Sequence, residues 1–221
     1  MPLHQPYPWF YPDATLVIVN LECDEDALEA SLPDGFDLVK PARVFAWSLK
    51  CVGIGGVGTY HEFMINTTAE CDGTKVTTTP FIYVDNDAAM ASGREVLGID
   101  KRLAQIDSAY DNDQLIVRTQ RSGIEFATFG MTLDREGSDS DRAGFEKRLS
   151  VPTVNKFGDK VIEGGMSCDV RRVVHGRGFI DTRPSAADQL YRLKPVATSA
   201  VMIRGDFTLL EPRIRSAATS D

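Results

Sequence analysis

Between residues 14 and 210 the chain runs as a series of short β-branched and aromatic stretches separated by turn signals, and that series permits few folds. Residues 14–21 (ATLVIVNL) are apolar without alternation, the pattern of a strand buried on both faces. Residues 42–54 and 57–70 read as a hairpin bent at Gly55-Gly56, and Asp72-Gly73 marks the turn into a strand over 75–84. Further strands are predicted at 114–120, 123–133, near 147–155, over 160–175, and over 197–210 with Gly205 at a bulge or bend. Helices are fewer. Asp24 caps a short one that stops near Pro33 and Gly35, Asn86 caps another over 86–96, and 184–193 is a third candidate. Residues 134–142 (DREGSDSDR) read as a polar surface loop. About ten closely spaced strands with two or three short helices describe a mainly β (α+β) domain: an antiparallel sheet closed, or nearly closed, into a barrel or double sheet.

At 221 residues the chain fits one domain spanning 1–221, with a Pro-aromatic arm at 1–13 that packs on something else and a frayed tail at 216–221. A chain of this length buries roughly 70% of its unfolded surface, enough for a dry interior site. The net charge of −8 repels phosphate backbones and anionic lipid, so nucleic acid is a poor partner. No apolar run approaches the ~20 residues a membrane helix needs. Cys23, Cys51, Cys71 and Cys168 form no CxxC pair, and MPLHQPYPWF has no secretory pattern. The expectation is a cytoplasmic protein with reduced, structural cysteines.

Metal and nucleotide chemistry find little support. His4, His61 and His175 have no ligand spacing, and His61 and Glu62 on one strand point to opposite faces. No GxSxG or Walker loop occurs, and Gly53–Gly58 (GIGGVG) lies between β patterns with no helix after it. No metal or organic cofactor is expected. One lysine stands out. Lys101 follows a largely apolar strand and helix, has Arg102 beside it, and has Met90, Val96, Leu97, Ile99 and Leu103 nearby in sequence. A free lysine titrates near 10.4 and is protonated at neutral pH; burial and a neighbouring cation both favour the neutral, nucleophilic amine. A Lys-Arg pair after a helix is also an ordinary solvated feature or a partner of the helix dipole.

The run YVDNDAAMASGREVLGIDKRLAQI resembles the signature of the acetoacetate decarboxylase family, with Gly93-Arg94-Glu95 and Lys101 in matching order and spacing. Gly58-Thr59-Tyr60-His61-Glu62 is similar to a Gly-x-Tyr-x-Glu strand of that family, and 24–33 and 176–213 resemble its first helix and closing elements. The resemblance implies that Lys101 forms a Schiff base, that Glu62 is an active-site glutamate, and that Arg102 stands for a second lysine and supplies the activating charge. It implies a structural role for Gly93, Arg94 and Glu95 in the loop that presents the lysine. Tyr60 shares the Glu62 face by period two. Trp47, Phe81 and Met90 line the pocket or fill the core.

Three positions depart from the family pattern. Its second active-site glutamate falls near Ala46-Trp47, an arginine thought to meet the substrate carboxylate falls near Ala14-Thr15, and Asp100 replaces a proline. An acid beside the amine favours its protonated form, so Asp100 must pair with Arg102 or point away. What the resemblance implies is a carbon–carbon lyase acting on a small keto acid, foremost decarboxylation of a β-keto acid through a Lys101 imine. Aldolase or dehydratase chemistry on a 2-keto acid such as pyruvate is the alternative, and a non-catalytic accessory role on the same fold is the third. The family's habit of forming homo-oligomers agrees with the Pro-aromatic arm.

Overall fold

The computed structural model describes residues 6–54, 57–186 and 188–215. In chain order they form β1 (Trp9–Glu22), α1 (Glu25–Glu29), β2 (Phe36–Leu38), β3 (Val44–Ile54), β4 (Gly58–Cys71), β5 (Thr74–Val84), α2 (Asp87–Glu95) and β6 (Arg102–Leu103). Then come β7 (Gln105–Asp111), β8 (Gln114–Arg121), β9 (Ile124–Thr132), β10 (Arg135–Glu136), α3 (Asp139–Leu149), β11 (Thr153–Phe157), β12 (Lys160–Gly164) and β13 (Met166–Gly176). The chain closes with β14 (Gly178–Thr182), a 3₁₀ turn (Leu190–Leu193), β15 (Val196–Leu209) and β16 (Arg213–Ile214).

Two sheets result. A 12-stranded sheet runs β10-β13-β15-β1-β3-β4-β5-β11-β12-β16, with β2 added to β4 and β6 to β5; a four-stranded sheet runs β14-β9-β8-β7. The double-sheet expectation holds and the closed barrel does not. The large sheet ends in the two-residue strands β10 and β16, which do not pair with each other. Its continuation past β5 rests on a single parallel pair, Thr153↔Thr77. Pairing of that kind is non-local and leaves no mark in the hydrophobic pattern.

Why 14–21 lacks alternation is now visible. Val17, Val19 and Leu21 face the small sheet, where they share a core with Phe63, Phe126 and Phe129, while Leu16 and Ile18 face the other way into a second core with Leu49, Tyr60 and Phe207. The sheets are tied by stacked Phe63 and Phe129, 4.7 Å between centroids, a geometry that adds about 0.5–1.5 kcal/mol beyond burial. The Asp72-Gly73 turn has both residues at positive φ (51° and 68°), as a two-residue hairpin of primed type needs. Gly205 sits where β1 and β13 both shift register, and a Cβ there would run into the Asp169 carbonyl.

The structure corrects four expectations. Residues 9–13 belong to β1, with Trp9, Phe10 and Tyr11 paired to β15, so that part of the N-terminal arm lies in the sheet; residues 1–5 and the tail 216–221 lie outside the described residues, as do Gly55 and Gly56. The polar stretch 134–142 and the start of the expected strand at 147 contain α3 instead, whose Ser138 cap and Asp141 form a reciprocal capping box. Residues 160–175 split into β12 and β13. Of 184–193, only Leu190–Leu193 turns helically, because the Asp188 carboxylate takes the Leu190 N–H and Lys194 stops the turn at φ 44°. Among the described residues no helix is long and apolar enough to cross a membrane.

Candidate active site

The site is built where α2 returns to the sheet. Asn86 caps α2 by accepting from the Ala89 N–H (2.9 Å), and after the helix Gly98, at φ +66°, lets the chain reverse. Ile99 N donates to Gly93 O (3.0 Å) and Lys101 N to Ile99 O (2.7 Å), which clamps the turn. β6 then joins β5 in parallel, Tyr83 opposite Arg102. Lys101 is thereby delivered across from Glu62 on β4. Its side chain passes so close to Gly93 that a methyl there would run into Cγ, Cδ and Cε of the lysine. The glycine of the Gly-Arg-Glu motif is therefore needed for room.

Lys101 Nζ donates to Glu62 Oε1, and both residues are buried, at 3% and 6% exposure. Taking two such charges from water costs several kcal/mol per ion, so the pair persists only because each has the other. The pair sits in a mostly apolar cavity of about 150 Å³. An engineered apolar cavity of that size admits benzene. β4 contributes Tyr60, Glu62, Met64 and Asn66, which share a face by period two; β3 adds Phe45, Trp47 and Leu49, and Arg148 and Leu149 of α3 complete one wall.

Beside the Lys101–Glu62 pair, two tyrosines and a cysteine are held neutral. Tyr60 OH donates to Tyr11 OH at 3.3 Å, and the ring of Tyr60 lies 5.7 Å from Lys101 Nζ. Burial pushes both phenols well above their usual range, with the nearby Glu62 carboxylate pushing in the same direction. Burial, again reinforced by Glu62, does the same to the Cys51 thiol. These groups can donate hydrogen bonds at neutral pH but cannot serve as bases.

Of the residues singled out from sequence, Lys101, Glu62, Tyr60 and Trp47 meet in this cavity, with Gly93 against the lysine stem. Arg94 pairs with Asp100 (3.1 Å), and Asp100 also meets Arg102 (3.5 Å), so the acid beside Lys101 is engaged by guanidinium groups as the sequence required. Glu95 is exposed at the end of α2. Three residues lie elsewhere. Met90 packs against the second core. Phe81 sits in the core between the sheets. Arg102, one residue from Lys101, points to the opposite side of the chain: it lies over Phe81 (6.0 Å) and reaches Asp188 (3.7 Å). Sequence reading missed Tyr11, taken as part of an arm; Arg148, on an unforeseen helix; and Asn66, which the 62-64-66 alternation already placed on the Glu62 face.

Comparison with known proteins decides the family. A family model described as acetoacetate decarboxylase matches residues 1–217. This chain belongs to the acetoacetate decarboxylase family. Curated relatives include the acetoacetate decarboxylases of Burkholderia vietnamiensis, 26% identical over 156 residues (69% of this chain, 62% of that protein), and of Ralstonia nicotianae, 24% identical over 151 residues (68% and 60%). The match thus spans about three fifths of those relatives' length. Among solved structures, acetoacetate decarboxylase from Legionella pneumophila superposes with a TM-score of 0.87 at 20% identity, covering 100% of this chain and 92% of that one. The enduracididine biosynthesis enzyme MppR, complexed with pyruvate, superposes with a TM-score of 0.74 at 18% identity, covering 96% and 92%. Both establish the likeness of fold.

Proposed function

We propose that this member of the family is a Schiff-base lyase acting on a small keto acid, with Lys101 as nucleophile. The observation that carries this reading is a primary amine, 3% exposed, beside a buried carboxylate in a mostly apolar cavity. Transfer of an ammonium proton to Glu62 frees the Lys101 lone pair to attack the substrate carbonyl. The carbinolamine then takes a proton on its oxygen, for which Glu62 is in reach of the amine, and loses water to give an iminium. That cation is the electron sink: a carboxylate on the adjacent carbon leaves as CO2, its bonding pair forming an enamine, which is reprotonated and hydrolysed. Tyr60 and Tyr11, kept neutral, supply O–H donors without competing for the proton.

A second reading keeps the lysine and changes the fate of the enamine, which attacks an aldehyde or loses water. The likeness in fold to MppR, seen with pyruvate bound, favours keeping it. Borohydride reduction in the presence of a panel of β-keto acids and pyruvate is expected to fix the substrate's carbon skeleton on Lys101, read by peptide mass spectrometry. Release of CO2 separates the two fates. A panel that leaves Lys101 unmodified would overturn the proposal.

A further inference from the structure

The cavity has a second polar end that the lysine chemistry does not use. Along β4, Met64 lies one same-face step from Glu62 and Asn66 two steps, roughly 7 and 13 Å. Across the ladder, Trp47 pairs with Met64 and Phe45 with Asn66. Three of the residues that line this end carry N–H donors, two of them buried in its wall and the third, Arg148, exposed. Trp47 Nε1 is buried with no hydrogen-bond partner among the described residues. Asn66, 2% exposed, accepts from Thr79 Oγ1 (2.7 Å) through Oδ1, which leaves its Nδ2 buried without an acceptor. Arg148 lines the same cavity and makes no ion pair among the described residues; its guanidinium lies over the Phe145 ring at 5.3 Å. A larger surface groove shares Phe45, Trp47, Arg148 and Val151 with the cavity, so this end is the mouth.

Buried N–H donors without acceptors cost about 1–3 kcal/mol each, and native proteins rarely leave them so. Two buried N–H groups without acceptors beside an unpaired guanidinium select a ligand rich in oxygen lone pairs and negative charge. A carboxylate fits: its two oxygens accept up to four bonds and match a guanidinium fork. We propose that Trp47, Asn66 and Arg148 form a carboxylate subsite at the mouth of the Lys101 cavity, so that the substrate is a keto acid carrying a carboxylate several carbons from the carbonyl under attack. The inference rests on the Lys101 reading above and sharpens its substrate class. In acetoacetate a single methylene separates the two groups, too short a span for strand steps of this size. Met64, Trp47 and Ile82 provide an apolar middle for the intervening chain. The carboxylate held at the mouth is the one that stays; any carboxylate lost as CO2 sits next to the iminium.

The test is the rate of borohydride trapping on Lys101 for acetoacetate, levulinate and the longer methyl-keto acid 7-oxooctanoate, each against its methyl ester, in the wild-type chain and in Arg148→Met and Trp47→Phe. Comparing each variant's acid-to-ester ratio with the wild-type ratio cancels the intrinsic reactivity of each ketone. It also cancels any loss of folded protein. The expected result is an acid preference that appears only in the longer homologues and falls about tenfold in Arg148→Met. It falls severalfold in Trp47→Phe, which deletes one donor and keeps the ring. Adducts formed with no acid preference at any length, or a preference that Arg148→Met leaves intact, would overturn this inference alone. Failure of every compound, neutral esters included, to form an adduct would overturn the Lys101 reading and this one with it.

Discussion

Two buried carboxylates lie on either side of the Lys101-Arg102 step, and they have opposite surroundings. Glu62 meets a single flexible amine beside an apolar hollow. Asp188, 1% exposed at its side chain, has Oδ1 taken by Tyr83 OH (2.7 Å) and Leu190 N (2.9 Å), while Oδ2 lies 3.7 Å from both Arg102 and Arg121. Guanidinium groups hold their protons at any ordinary pH, and an amine can give its proton up. The Asp188 cluster therefore fixes β6, β5 and the 3₁₀ turn to one another and leaves no group free to react. Chemistry needs what the Glu62 side has: a donor able to lose a proton, a carboxylate able to take it, and space for a third party.

The sharpest way to break this contrast is to remove one member of each cluster. Lys101→Met is expected to abolish adduct formation and to lower turnover by at least about 10³-fold. It also leaves Glu62 buried without its cation, which costs about 3–5 kcal/mol; Glu62→Gln added to it restores most of that stability and none of the activity. Asp188→Ala is expected to do the reverse. It strands Tyr83 OH and the Leu190 N–H and takes one carboxylate from two partly exposed arginines, lowers unfolding stability in urea by about 2–4 kcal/mol, and leaves trapping per folded molecule at the wild-type level. Loss of trapping in folded Asp188→Ala would show that the two sides act as one unit.

Much of this arrangement is legible in the sequence. The capped helix after Asn86 and the Tyr60–Glu62 alternation are local signals, whereas the meeting of Lys101 with Glu62, 39 residues apart, was implied by the family resemblance alone. What sequence does not reveal is sidedness and sheet order. Arg102 follows Lys101, and a charge one residue away in sequence falls naturally on the amine. The short parallel strand β6 instead imposes strand alternation, which sends the two side chains apart. α3 escaped because its exposed face carries Asp139, Arg142, Lys147 and Arg148, and few apolar residues mark a stripe. The Ser138-x-x-Asp141 capping box was the signal present. That one omission concealed Arg148.

Gly93→Ala tests the contact on which the Lys101 side depends. An alanine in α2 favours the helix by up to about 1 kcal/mol over glycine. Its methyl would displace the Lys101 stem, and a shift of about 1 Å at a reacting group costs as much as 10²-fold. Overpacking against the buried Lys101 stem costs about 1–3 kcal/mol, so the variant is expected to melt somewhat lower than the wild type while trapping per folded molecule falls about 10²-fold. A folded variant with full trapping would show that the amine has another route to the carbonyl.

The smallest effect is expected from Arg102→Gln, and it is the most direct measure of how far the two sides are separate. If the neighbouring charge activates the amine through space, removing it should slow trapping strongly near neutral pH and leave it little changed at high pH, where the amine is neutral in any case. The geometry argues otherwise. The Arg102 guanidinium is turned to the Phe81 side, within 3.5 Å of Asp100 and 3.7 Å of Asp188, so two carboxylates offset its field. Two unit charges 4 Å apart interact by about 4 kcal/mol near a protein surface, and the partners of Arg102 cancel most of what reaches farther. Trapping should fall less than about tenfold, by a similar factor across the pH range, with the main loss in stability because Asp188 keeps only Arg121 as its cation. A pH-dependent loss of 10²-fold or more would restore Arg102 to the reacting centre and remove the division between the two carboxylates.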